Sequence, residues 1–483
     1  MSKYTQLSIP EQLFFPEPLC MPFNPTPGMI TFNSYLPGFV QIGEPIDNVR
    51  DFNRQKKDQT VPKPKKITIP SAIHRSDNEI DNVYCPECGA FLKKDGFNHS
   101  IVFHLPMGMT RVELDVKKQR YCCSNPDCNY RTTEDIPFQA DYHKITPQMK
   151  VFAEDLLMQG YTLKEVASLT TLDKNVVKDL DKKRLEKKYT EVGEDGKRRL
   201  KPPTEYTKHL GIDEFLLHEG PVYATIIMDI DTGHVLYLAQ TKKMSVVEDF
   251  MNWVGDDWMQ HVEAVACDMN ADFGRTFQNR YSEIKIVYDH FHIVKNFNDK
   301  VINEVRKDVY NDLVSQGKLD EARQLKGSKY ILMSSRATLQ EHDRTIGQVI
   351  NPGSEIFAIP KVCRKGKLEE RYDALLQANH LFLTMDLVKA SIAEAYATTD
   401  TKEMKKLIGH TIGICFATKN PHFKWFGKLL KNHLVGILSH AEYQLSSGIV
   451  EGTNRKVKTI RAQAYGYRDD EYFFLKIIDA TNN

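Results

Sequence analysis

The sequence has no apolar run of the ~18 residues that a membrane-spanning helix requires, so no such span is expected. Its opening, MSKYTQLSIPEQLFFPEPL, shows no basic-then-apolar leader pattern, and no export signal is read there. An excess of charge of one sign is also missing. Lys and Arg number 65 against 64 for Asp and Glu, a net charge of +1. That balance excludes a uniformly basic chain, and any polyanion would have to be met by local patches. Cysteine is scarce outside one place: of nine cysteines, five lie between Cys85 and Cys128. An odd number, crowded in this way in a chain without an export signal, points to metal ligation rather than to disulfides. With 483 residues, the chain is long enough for more than one domain, each with its own core.

What is present centres on residues 209–295. Residues 210–216 are an apolar run interrupted by Asp213 and Glu214, residues 222–229 (VYATIIMD) are rich in β-branched side chains, and residues 234–239 return after the Asp231-Thr232-Gly233 turn as a hairpin partner. Residues 246–253 carry apolar side chains at helical spacing. A fourth strand at 264–267 runs into Asp268. A helix at 273–281 and a fifth strand at 284–288 follow, the latter ending on Asp289-His290-Phe291-His292. An antiparallel meander followed by crossover strands predicts a mixed α/β sheet with helices on its faces. Asp213 stands in the middle of an apolar strand, where an unpaired carboxylate is costly. Asp268 taken alone reads as a strand-end cap. With the first and fourth strands as neighbours, the two aspartates read as a cation site.

Before this core, Cys85-Pro-Glu-Cys88-Gly and Cys122-Cys123-Ser-Asn-Pro-Asp-Cys128 flank an alternating strand at 111–121. Two cysteine knuckles joined by strands make a zinc ribbon with tetrahedral thiolate ligation. Its ligands are read as Cys85, Cys88, Cys123 and Cys128, with the choice between Cys122 and Cys123 open. Residues 146–188 then read as three helices. Thr146-Pro147 opens the first, and Thr162 with Glu165 forms a capping box at the second. The last two helices fit a helix-turn-helix whose Lys174, Asn175, Lys178 and Lys182 would reach DNA, with a basic stripe from Lys182 to Lys188. A solvated three-helix bundle accounts for the same pattern. Residues 1–80, with recurring prolines, lysines and the apolar anchors Phe14, Phe15 and Phe39, read as an extended arm or linker. Residues 191–207 read as a polar linker.

Near the C-terminal end, LSSGIVEGTNRKVKTIRAQAYGY reads as a helix with Glu451 in its first turn. From spacing alone, Glu451 is a helix N-terminal acid. Gly-Ile-Asp-Glu, Cys-Asp-Met-Asn, Asp-His-Phe-His-Ile-Val-Lys and Val-Glu-Gly-Thr-Asn-Arg-Lys-Val-Lys occur in that order, with Ala-Tyr-Gly-Tyr behind them. This series resembles the bacterial insertion-sequence transposases of the ISL-three group, over about residues 84–478.

The resemblance implies a DDE enzyme with a ribonuclease-H-like core, in which Asp213, Asp268 and Glu451 form the triad and hold two Mg²⁺ (or Mn²⁺) ions. It implies metal-dependent cleavage at the element's terminal inverted repeats, followed by strand transfer into target DNA. It also implies a structural Zn²⁺ in a ribbon that binds the ends, and paired ends held by a homodimer or larger assembly. The site of action would be the bacterial cytoplasm, at the nucleoid when the protein is bound to DNA. Arg455, Lys458 and Arg461 would position phosphates, and the Asp289–His292 motif would sit beside the site with His290 and His292 unassigned. A ribonuclease-H-like nuclease or resolvase, and a catalytically inactive sequence-specific DNA-binding protein, are the alternative classes.

The expected organisation is an arm at 1–80, a zinc ribbon at 81–140, a helix-turn-helix at 141–190 and a linker at 191–207. A catalytic domain follows at 208–298 and 446–483, interrupted by a helical insertion at 299–445. Within the insertion, helices are predicted at 297–314, 319–326, 367–384, 386–397, 401–417 and 423–446. Trp425, Phe426, His433 and Tyr443 are expected in its core. Lys419, Lys424, Lys428 and Lys431 read equally as a phosphate track or a solvated face.

Overall fold

The computed structural model describes residues 36, 38–43, 45–47, 66–73, 84–108, 110–241, 244–269, 273–346, 353–360, 366–445, 448–464 and 466–482. The chain forms two compact units, residues 1–188 and 189–483. Among the described residues, no helix is long and apolar enough to cross a membrane.

The first unit is built on a six-stranded sheet and three helices. Strands β1 (Phe39–Gln41), β2 (Ile46–Asp47) and β3 (Lys66–Ile73) precede a long hairpin of β4 (Leu92–Met107) and β5 (Thr110–Cys123), and β6 (Arg131–Thr133) closes on β5. The first three strands correct the expectation of an arm for the residues they occupy. Residues 66–73 (KITIPSAI) carry a strand's alternation. Ile69 and Ser71 are buried, and β3 pairs in parallel with β5. Phe39 docks edge-on against Phe138 with ring centroids 5.4 Å apart. The other anchors, Phe14 and Phe15, lie outside the described residues, as do the early prolines.

Helices α1 (Pro147–Met158), α2 (Leu163–Thr170) and α3 (Lys174–Tyr189) follow. Both expected caps are present. Thr146 Oγ1 accepts from Met149 N at 3.3 Å, and Thr162 and Glu165 close a reciprocal box.

The second unit opens with a short hairpin, β7 (Thr190–Val192) and β8 (Arg198–Leu200), inside the stretch expected as a linker. Trp253 donates to Leu200 O at 3.0 Å and Trp258 to Glu205 O at 2.9 Å, which ties this segment down.

The central sheet contains β9 (His209–His218), β10 (Val222–Asp229), β11 (Val235–Ala239), β12 (Ala264–Cys267) and β13 (Lys285–Tyr288), in the order β11-β10-β9-β12-β13. The pairs β9–β10 and β10–β11 are antiparallel, while β12 runs parallel to both β9 and β13. One face packs on α4 (Ser245–Val254), α5 (Asp256–Met259) and α6 (Phe273–Arg280), through Val247, Phe250, Trp258 and Phe277. After β13 come α7 (His290–Phe297) and a π-helical turn at Asn298–Ile302.

A helical block then intervenes: α8 (Asn303–Ser315), α9 (Leu319–Gln324), α10 (Lys329–Met333), α11 (Arg336–Ile346), α12 (Leu368–Ala378), α13 (His380–Ala397), α14 (Thr401–Ala417), α15 (Pro421–Asn432) and α16 (Leu434–Tyr443). The helix predicted over 367–384 breaks at Asn379, whose side chain accepts from Leu381 N at 2.8 Å and caps α13. The helix predicted over 423–446 breaks at His433. Phe423, Phe426 and Leu430 form the buried stripe of α15. Trp425 falls off that stripe and is 39% exposed, contrary to its expected place in the core.

Finally, α17 (Gly448–Gln463) and α18 (Asp470–Thr481) cover the opposite face of the sheet, through Val450, Val457, Phe473 and Ile477. The approach of α17 to β9 depends on Gly211. A Cβ there would meet Val450 Cγ2 at 2.8 Å and Ile230 Cγ1 at 3.0 Å. Gly211→Val should lower the unfolding free energy by on the order of 1–3 kcal/mol through overpacking. A shift of the urea midpoint at unchanged slope would show it, and a midpoint equal to wild type would mean that the contact is slack.

Candidate active site

Alternation along β9 turns Leu210 and Ile212 toward α4–α6, and Gly211, Asp213 and Phe215 toward α17 and α18. Alternation along β12 turns Ala264 and Ala266 to that same second face. The parallel register pairs Ala264 with His209 and Ala266 with Gly211. Two residues further on, the same offset sets Asp268 level with Asp213, just past the end of β12. The sequence thus brings both acids to one face through two strands of matched period.

The Asp213 carboxylate is held by protein donors on both oxygens. Glu214 N donates to Oδ1 at 2.8 Å, and Asn454 Nδ2 donates to Oδ2 at 2.6 Å. Burial raises its pKa above the usual carboxylate range. The negative charge of Asp268 adds to the rise, and the Glu214 amide, His292 and Asn454 oppose it. His292 Nδ1 lies 3.5 Å from Asp268 Oδ2, with the imidazole largely buried. The ring is delivered by α7, which begins at Asp289, a buried residue whose side chain accepts from Phe291 N at 3.2 Å. The Asp-His-Phe-His stretch is therefore a cap followed by the first turn of a helix, and its second histidine reaches Asp268. His290 instead packs against Tyr396 at 5.0 Å between ring centroids, and burial lowers its pKa.

Glu451 lies in the first turn of α17, where its carboxylate accepts from Arg455 at 2.7 Å. Among the described residues, only Cys85, Cys88, Cys123 and Cys128 bring three or more ligating side chains within 4.8 Å of one another. Asp213, Asp268 and Glu451 share a face but do not form a closed cluster. Of the cations expected to contact phosphates, Lys458 is exposed, Arg455 is engaged by Glu451, and Arg461 donates to Leu216 O at 3.2 Å. Asn454 is a site residue that the sequence analysis does not single out. Its spacing, one turn beyond Glu451, is the signal that could have set it beside the acids.

The four cysteines sit at the open end of the β4–β5 hairpin, where Leu92 pairs with Cys123. Cys85 Sγ is 3.7 Å from Cys128 Sγ, and Cys88 Sγ is 3.4 Å from Cys123 Sγ. Cys122 lies outside the group and pairs in the sheet with Lys93 and Arg131. The Ala90 backbone amide and then Cys123 hold the Cys88 thiol down to about 7. Four soft thiol donors at such spacing suit a tetrahedral Zn²⁺.

On α3, Lys174 and Asn175 are exposed and Lys178 and Lys182 half-buried. Part of the basic stripe is spent inside the unit. Lys183 meets Asp179 at 2.9 Å and lies over the Tyr142 ring, and Arg184 meets buried Asp181 at 2.9 Å.

A family model described as a transposase, of the DDE type and ISL3 group, matches residues 210–477, from β9 into α18. The chain is similar to the transposase for insertion sequence element IS1001 of Bordetella parapertussis. The two are 28% identical over 394 residues, covering 81% of this chain and 87% of the relative. It is also similar to the transposase for insertion sequence element IS1557 from two strains of Mycobacterium tuberculosis. There the identity is 22% over 287 residues, covering 55% of this chain and 58% of each relative.

Proposed function

Because the chain belongs to the ISL3 family of transposases, we propose that it binds the terminal inverted repeats of its own element and carries out metal-dependent cleavage and strand transfer, with Asp213, Asp268 and Glu451 as its acids. The observation that carries this reading is the convergence on one sheet face of the two aspartates and the helix bearing Glu451, with Asn454 of that helix bonded to Asp213. The strand order, antiparallel on one side of β9 and parallel on the other with helices on both faces, supports a ribonuclease-H-like core. The helices between β13 and α17 are its insertion.

The donor set fits a hard divalent cation. It consists of carboxylate oxygens, those of Asp213 being half-buried, with burial first and the Asp268 charge raising that group's pKa. Glu451 joins by leaving Arg455. Exposed ion pairs of this kind contribute only ~0–1 kcal/mol, so the exchange is easy. Mg²⁺ or Mn²⁺ bound by the three acids would supply Lewis-acid charge at the attacking and leaving oxygens of an in-line displacement.

The chain's own side chains do the rest. Asp213 is fixed by Glu214 N and Asn454, and His292 steers the Asp268 carboxylate. Lys458 offers charge to a phosphate, joined by Arg455 once Glu451 has turned away. Arg461 braces α17 on β9. Lys174, Asn175, Lys178 and Lys182 of α3 contact duplex DNA as a recognition helix, and a structural Zn²⁺ at the four cysteines rigidifies the hairpin beside it in sequence. Paired ends call for a homodimer or larger assembly, acting at the nucleoid of a bacterial cytoplasm.

The test is a strand-transfer assay with the full chain, Mg²⁺, a labelled duplex ending in the terminal repeat, and an unlabelled target plasmid. The expected result is labelled DNA joined covalently to target. Cleavage without joining would replace this reading with a nuclease or resolvase. End binding without cleavage would replace it with an inactive DNA-binding protein.

A further inference from the structure

Asn454 belongs to none of the roles above except as a tether, and its geometry carries more than that. Its Nδ2 donates to Asp213 Oδ2 at 2.6 Å across 241 residues of sequence. An ionised carboxylate only accepts hydrogen bonds, so the amide must turn its nitrogen toward Asp213 and its oxygen away. That oxygen, Asn454 Oδ1, is buried and has no hydrogen-bond partner among the described residues. A buried acceptor left unsatisfied costs about 1–3 kcal/mol, so its persistence needs a reason. Simple fastening of α17 to β9 does not supply one, because Val450 against Gly211 and Arg461 on Leu216 O already fasten that helix.

We propose that Asn454 is a positioning residue of the acid site: its amide nitrogen fixes the Asp213 carboxylate, and its amide oxygen is a neutral acceptor held open for the divalent cation and its hydration shell. This inference rests on the reading of Asp213 as a metal ligand. The pairing leaves one lone pair on each Asp213 oxygen, because Glu214 N occupies Oδ1 once and Asn454 occupies Oδ2 once. The carboxylate is therefore oriented without being consumed. A neutral amide also brings an oxygen to the site without adding a third negative charge beside Asp213 and Asp268. Hard cations accept such amide oxygens readily.

The experiment measures Mn²⁺ binding to the full chain without DNA, by electron paramagnetic resonance and by the Mn²⁺-induced rise in melting temperature. Wild type, Asn454→Ala, Asn454→Asp and Asp213→Asn are compared. Loss of an orienting partner typically weakens metal affinity ~10–100-fold, and that loss is expected for Asn454→Ala. Asn454→Asp should melt lower than wild type without cation, since two carboxylates then face each other. It should gain a larger rise with Mn²⁺. A purely structural tether predicts the opposite pattern, in which Asn454→Ala lowers melting equally with and without Mn²⁺ and its affinity stays at the wild-type value. That result would overturn the inference while leaving the acid site intact, provided Asp213→Asn abolishes binding. Wild-type affinity in Asp213→Asn would overturn the acid site itself and this inference with it.

Discussion

Asp268→Asn is expected to abolish both cleavage and joining while end binding and folding survive. The substitution keeps the shape of the side chain and removes one charge. Metal-assisted stabilisation of a phosphoryl transition state is worth several kcal/mol, and each ~1.4 kcal/mol is tenfold, so the rate should fall on the order of a thousandfold or more. Folding should not suffer, and the sign can be worked out. Asp213 has a raised pKa in the folded chain, with Asp268 contributing to the rise. A carboxyl group whose folded pKa is raised stabilises the fold below its unfolded pKa, and that contribution disappears as pH rises through the folded value. Burial and the Asp268 charge both work against ionising Asp213 in the cation-free fold, and removing the Asp268 charge takes one of these two effects away. The variant should melt at or above the wild-type temperature without divalent cation, yet do no chemistry. Cleavage at the wild-type rate would remove Asp268 from the ligand set. Loss of activity accompanied by a lower melting temperature would mean that the side chain is structural.

The second large effect is expected at the four cysteines. Apparent Zn²⁺ binding energies in structural thiolate sites run to ~10–16 kcal/mol near neutral pH, and that energy is coupled to folding. Here the knuckles close the open end of the β4–β5 hairpin, whose far strands have a separate core of Leu114, Val116 and Ile69. Removal of zinc should therefore fray that end rather than unfold the whole unit. Strong chelation, or Cys88→Ser, should take bound zinc from one per chain to none and expose the amides around Leu92 and Cys123 to hydrogen exchange. It should also weaken binding to the terminal repeat, while Mn²⁺ binding at the acid site stays unchanged. A Cys122→Ser variant should keep its zinc, because Cys122 lies outside the group. Zinc loss in that variant, with retention in Cys123→Ser, would reverse the assignment. Full exchange protection after chelation would mean that the thiols hold no structural metal.

Much of the second unit was legible in sequence because its signals are local. Residues 222–229 and 264–267 are β-branched or small apolar runs with sharp ends, and they are strands over those bounds. Residues 401–417 form the predicted helix, begun by Asp400, whose side chain accepts from Lys402 N at 2.8 Å. Where local cues compete, structure and sequence pattern part. Asn379 sits inside a helical pattern yet caps a new helix. The hairpin of residues 190–200 is too polar to announce itself, and its strands are held by Trp253, which lies some fifty residues later. Residues 66–73 carry a strand's alternation inside a Lys- and Pro-rich stretch, and their partners, β5 on one side and β1 and β2 on the other, come from elsewhere in the chain.

The sequence by itself determined most helices and strands of the second unit, the caps at Thr146 and Thr162 and the cysteine spacing. All of these follow from side-chain chemistry and periods of 2 or 3.6 within a few residues, whereas the choice of Glu451 as the third acid came only from the family resemblance. The tertiary structure decided which carboxylates meet. The parallel register of β12 on β9 sets Asp268 level with Asp213. The absence of a side chain at Gly211 admits Val450, and with it Asn454, to the strand. Arg461 braces a backbone carbonyl, and Arg455 holds Glu451. Most of these outcomes depend on register and close packing between segments far apart in the chain, 241 residues for Asn454 and Asp213 and 245 for Arg461 and Leu216. No local propensity encodes them, because each is settled by how buried surfaces fit once the sheet has formed.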